Sequence, residues 1–157
     1  MPIDHALSEA GQTLEQAAQS VLETMFFVEV EPAPPPEIAP AEQVCVEVHF
    51  RGKWSGRLSM SLPAACARDL AGCFEGILDA EQVSRQSVDQ VASELANMIC
   101  GVTLTRLDRH GLFLLETPVV TPEFSTASSG AAAECWLQAP CMPGGLMRLA
   151  LALEEVS

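Results

Sequence analysis

The chain has 157 residues, 48% of them hydrophobic and 18% charged, which is the composition of a globular protein and enough for one domain, 1–157, with a sizeable core. Its 21 acidic and 8 basic side chains give a formal net charge of −13, which repels phosphodiester backbones and anionic head groups and argues against nucleic acid or a membrane as partner. No stretch reaches the ~18 apolar residues of a membrane span, and the Met1-Pro2-Ile3-Asp4 start lacks the positive region of a secretory signal, so a cytoplasmic protein is expected.

Leu14, Ala17, Ala18, Val21, Leu22 and Met25 recur at three- and four-residue steps and predict an amphipathic helix over about residues 12–27. Five prolines between 32 and 40 fix φ and remove donors, so that segment reads as an extended loop or spacer. Val44, Val46, Val48 and Phe50 alternate with polar residues, Arg51-Gly52 turns the chain, and Trp54, Gly56, Leu58, Met60 and Leu62 alternate again: a β-hairpin with one buried face. His49 falls on its polar face and is assigned no role.

Pro63 suits the first turn of a short helix ending near Gly72, and Asp79 suits the cap of a further turn. A long proline-free helix follows from about Ser84 to Leu107, with Val88, Val91, Leu95, Met98 and Val102 as its core stripe. Leu112 to Thr117 reads as a strand buried on both faces, 121–130 as a turn-rich loop, and 132–139 and 146–154 as two closing strands. Helix, hairpin, helices and then strands make an α+β domain.

The six cysteines contain no CxxC pair and the three histidines stand apart, so no zinc-site spacing appears. Such cysteines behave as small buried hydrophobes, with Cys100 the one candidate for a reactive thiol because it adjoins the motif described next.

On the long helix Gln90, Glu94, Asn97 and Gly101 follow at four- and three-residue spacings, so they project along one shoulder beside the buried stripe. A glycine inside a helix costs roughly 1 kcal/mol relative to alanine, and here, one turn beyond Asn97, it leaves room for another backbone. A bare Glu-x-x-Asn pair arises by chance and by itself reads as a solvated helix face.

The wider stretch Ser93 to Gly101 (SELANMICG), with the apolar strand and Pro118 after it, resembles the CheX and CheC family of chemotaxis phosphatases. The N-terminal helix ending in ETMFFVEVEP, the 44–62 hairpin and the closing strands also look like CheX-type proteins, and a single Glu-x-x-Asn site is similar to CheX rather than two-site CheC. The resemblance implies a CheC-like fold and removal of the phosphoryl group from the phospho-aspartate of a CheY-like receiver domain. Glu94 then docks against the receiver's lysine, Asn97 orients a water in line with phosphorus, and Gln90 and Gly101 lie in the contact. No cofactor is expected on this chain, Mg2+ being held by the receiver, and a homodimer joined through β-structure is implied.

The chemistry is compatible, because an acyl phosphate is already activated and needs mainly a positioned water and charge neutralisation. An asparagine amide accepts and donates hydrogen bonds without a shifted pKa, whereas a carboxylate there would repel the phosphoryl group. The sequence departs from the family at Gln90, where Asp or Ser is usual, with Asp89 one position off, and Pro118 and Pro122 bracket the family's proline. The alternatives are a receiver-binding or flagellar-switch module without catalysis, which Gln90 keeps open, and an acidic structural or regulatory dimer unrelated to receivers.

Overall fold

The computed structural model describes residues 3–37, 42–124, 131–139 and 145–155. Helix α1 (Ile3–Phe26) is followed by strand β1 (Glu31–Pro32), the hairpin β2 (Gln43–Gly52) and β3 (Trp54–Pro63), and helix α2 (Ala64–Glu75). A 3-10 turn (Ala80–Gln82) leads to helix α3 (Arg85–Leu107), then to short strands β4 (Phe113–Leu115) and β5 (Val119–Thr121), and finally to β6 (Ala131–Gln138) and β7 (Leu146–Glu155). The α+β class is the expected one, and the expected elements follow in the expected order with two short strands, β1 and β5, added. Among the described residues no helix is long and apolar enough to cross a membrane.

The strands pair antiparallel in the order β1-β6-β7-β3-β2-β4. Strand β5 lies end to end with β4 on the same edge of β2, beside Cys45–Glu47, while β4 pairs with Phe50–Gly52. Alternation sends Val44, Val46, Val48, Leu58, Met60, Leu62, Leu149 and Leu151 to one face. On that face α1 packs over β6 and β7, α3 packs over β2 and β3, and α2 sits against α3. Leu14, Leu22, Leu95, Ile99 and Leu104 meet the sheet there, each no more than 2% exposed. Full burial of each such side chain contributes roughly 1.5–3 kcal/mol.

The hairpin differs from expectation in that its second face is partly buried too, at Cys45, Ser59 and Ser61. Strand β3 is central, between β2 and β7. Arg57 pairs with Glu47 at 3.8 Å, and Arg148 pairs with Glu134 at 2.6 Å while its guanidinium lies over the rings of Phe124 (4.1 Å) and Trp136 (5.1 Å).

Helix α1 begins at Ile3, not near residue 12, because buried Ala6 and Ala10 extend the stripe with little side-chain volume. Glu31–Pro32 joins β6 as a short edge strand, a position that tolerates proline, and the rest of the spacer from 38 to 40 lies outside the described residues. Helix α2 runs past Gly72 to Glu75, and Gly76 closes it in the left-handed conformation at φ +76°, which costs glycine nothing.

The Leu112–Thr117 run is not a strand buried on both faces. Only Phe113–Leu115 pairs, on the sheet edge, and Leu112 and Leu114 are 89% and 57% exposed. Phe113 turns inward against Trp54 and Phe50, with ring centroids 5.6 and 6.1 Å apart. Strand β5 was not expected; it forms where the chain after Pro118 finds the free edge of β2. The loop residues 125–130 and Cys141 lie outside the described residues.

Candidate functional site

Helix α3 is held at both ends. Ser84 caps its N-terminus, its Oγ accepting the Ser87 N–H at 3.1 Å. At the C-terminus Asp108 accepts from the Lys53 ammonium (2.8 Å) and from the backbone N–H groups of His110 (3.0 Å) and Gly111 (3.1 Å). The Lys53 hydrogen bond, with those backbone donors, holds the Asp108 carboxyl down at about 2. Because Lys53 lies in the β2–β3 turn, this cluster pins the end of α3 to the hairpin. An Asp three residues before a Gly is a turn signal readable in sequence, but its partner 55 residues away is not.

The buried side of α3 is broader than the expected stripe. Val88, Val91 and Leu95 are buried, but the core then continues through Ala92, Ala96, Ile99, Cys100, Thr103 and Leu104, leaving Met98 and Val102 half-buried at its margin. The cause is that α3 packs against the sheet, α1 and α2 together, so its buried arc is wider than one stripe. Thr103 sits in that arc by donating its hydroxyl to the Ile99 carbonyl at 2.6 Å. Cys100 is fully buried, and burial pushes its thiol up to about 12, so it is no nucleophile.

Opposite this arc lie the four predicted residues. Gln90 and Glu94 are exposed, and Asn97 and Gly101 half-buried. At 100° and 1.5 Å per residue they fall within about 60° of one another around the axis and over about 16 Å along it. The structure thus brings the four together on one open shoulder. Among the described residues, neither Glu94 nor Asn97 has a hydrogen-bond or ion-pair partner in the chain.

Two details refine the expectation. A Cβ on Gly101 would have only the Leu115 Cδ2 near it, at 4.0 Å, so among the described residues no backbone occupies the space the glycine leaves. Asp89 does not substitute for a carboxylate at position 90. It lies about 100° around the helix and pairs with Arg85 at 3.5 Å, while its buried Oδ1 makes no hydrogen bond. Among the described residues no three His, Cys, Asp or Glu side chains converge as metal ligands.

Antiparallel sheet, helices on one face and a polar helix shoulder open to solvent define an α+β domain that presents this shoulder at its surface. Solved structures share this fold: chemotaxis protein CheX from Desulfovibrio desulfuricans is 21% identical over 93% of this chain and 99% of that one, with a TM-score of 0.73. CheX from Vibrio vulnificus is 19% identical over 94% and 98%, with a TM-score of 0.74. A CheX–CheY–BeF3–Mg2+ complex from Borrelia burgdorferi is 20% identical over 92% and 97%, with a TM-score of 0.67. No curated protein sequence matches the chain significantly. The family model described as chemotaxis phosphatase CheX matches residues 44–140, and the chain belongs to that family.

Proposed function

We propose that the chain dephosphorylates the aspartyl phosphate of a CheY-like receiver domain, using Glu94 to dock and Asn97 to position the attacking water. The observation that carries this reading is the placement of these two side chains one turn apart on the open shoulder of α3, in a member of the CheX family. The solved CheX–CheY complex supports a receiver as partner.

In this reading the convex shoulder enters the receiver's site, where Glu94 pairs with the receiver's lysine in a charge-assisted hydrogen bond. The Asn97 carbonyl accepts from a water and holds it in line with phosphorus. Water oxygen bonds to phosphorus as the bond to the aspartyl oxygen breaks, yielding a free carboxylate and inorganic phosphate. Mg2+, held by the receiver's own acids, supplies charge neutralisation at the phosphoryl oxygens. The space beside Gly101 admits the receiver's backbone, and Gln90 contacts the receiver through hydrogen bonds in place of a carboxylate or hydroxyl. The same reading has two copies joined through β-structure, and exposed Leu114 and Val119 on the β4/β5 edge support that edge as the junction.

Gln90 favours a second reading, a module that binds the phosphorylated receiver without hydrolysing it. Phosphate release from a phosphorylated receiver of the same genome separates the two. The phosphatase reading expects release accelerated by the wild type and lost in both Asn97→Ala and Glu94→Ala. Binding with unchanged phosphate release would establish the module instead.

A further inference from the structure

The C-terminal ends of α1 and α2 meet through the Phe26–Phe74 ring pair, with centroids 5.8 Å apart. Phe26 is buried, but on the segments that this pair joins Met25, Phe27, Phe74 and Leu78 are 45%, 90%, 50% and 104% exposed, four of the seven large apolar side chains left exposed among the described residues. Clusters of this kind on a folded surface mark interaction sites, whereas single exposed apolar residues do not.

Phe27 also has φ +57°, and among the described residues it is the one non-glycine with positive φ. A bulky side chain is strained there, while glycine or asparagine adopts that conformation readily. Phe26 and Val28 on either side are buried, and the left-handed residue between them directs the Phe27 ring into water. Strain retained to expose an aromatic ring points to a use for that ring.

The surroundings have one sign of charge. Glu23, Glu29, Glu75, Asp79 and Glu81 are exposed on the same segments, and no Lys or Arg occurs in residues 21–31 or 70–83. A second copy would set this acidic rim against itself, and an anionic membrane would be repelled. We propose that this end of the molecule docks a cationic amphipathic helix of a partner protein, whose apolar face covers Phe27, Phe74 and Leu78 and whose Lys or Arg side chains meet the acidic rim. The surface contains neither Glu94 nor Asn97.

The test is fluorescence anisotropy at physiological salt with a labelled Leu–Lys peptide of about 18 residues, its leucines spaced to form one helical face. Wild type binds it in the micromolar range and does not bind the matching Leu–Glu peptide. Phe27→Asn weakens binding about tenfold or more without lowering Tm, and so does Leu78→Ser, at a fully exposed position. Glu9→Gln, at the other end of α1, leaves the affinity unchanged. Equal affinity in wild type, Phe27→Asn and Leu78→Ser overturns the proposal, as does an equal loss in Glu9→Gln. Sedimentation showing a wild-type dimer that Leu78→Ser converts to monomer assigns the surface to a second copy and overturns it too.

Discussion

At the scale of single residues, the placement of Glu94 and Asn97 on one helix shoulder was legible because helical spacing puts them together, and the family resemblance supplies the role proposed for the pair. Gly101 was legible as a helix glycine but not as open space, since only the fold shows that nothing among the described residues fills it. This yields a prediction with two opposed readouts. Gly101→Ala fits the fold and stabilises it by roughly 0.5–1 kcal/mol, measured by urea unfolding, yet lowers kcat/KM because the added methyl meets the receiver. A variant both stabilised and fully active would remove Gly101 from the contact. The Asp108–Lys53 pair was illegible because its partners are distant in sequence and meet only through the fold. Since the folded-state carboxyl lies near 2, below its ordinary 3.8, the pair's contribution is present above the ordinary value and is lost as pH falls through the folded one. Lys53→Met is expected to lower Tm at neutral pH, with the gap to wild type closing as pH drops from 3.8 toward about 2. A gap constant across that range would show that Lys53 acts by packing alone.

At the scale of elements, the long helix, the hairpin and the closing strands were readable because each carries a strong period. Helix α1 was cut short because its first turns are buried through alanines, which leave a faint pattern. Gly11 is a helix residue with nothing within 4 Å of the place its Cβ would take. Gly11→Ala should therefore stabilise the protein by roughly 0.5–1 kcal/mol in denaturant unfolding, and a destabilised variant would contradict a helix starting at Ile3. The strand at 112–117 was misjudged for the opposite reason: a run of large apolar residues promises burial, but the sheet ends at β4, which leaves Leu112 and Leu114 on its rim. Edge position is a property of topology, and local sequence does not encode it.

At the scale of the whole molecule, the net charge of −13 would set how the proposed partner, a phosphorylated receiver, is met. With a receiver of net negative charge, long-range repulsion slows encounter, and salt relieves it as the Debye length shrinks from about 30 Å at 0.01 M to about 8 Å at 0.15 M. The value of kcat/KM should rise over that range in stopped-flow or phosphate-release assays, and a steep fall would mean that local attraction dominates. Charge and composition announced that constraint, whereas the two helix ends carrying Phe27 and Phe74 became neighbours only through packing.

The account rests most directly on the division of labour between Asn97 and Glu94, and single-turnover decay of a phosphorylated receiver tests it. With wild type, Asn97→Ala and Glu94→Ala each in large excess, affinity for the receiver's beryllofluoride form is measured in parallel. The account predicts that Asn97→Ala binds with near wild-type affinity but loses about 100-fold or more of the acceleration, while Glu94→Ala loses affinity. Acceleration that survives in saturating Asn97→Ala would contradict the central claim that this amide positions the water.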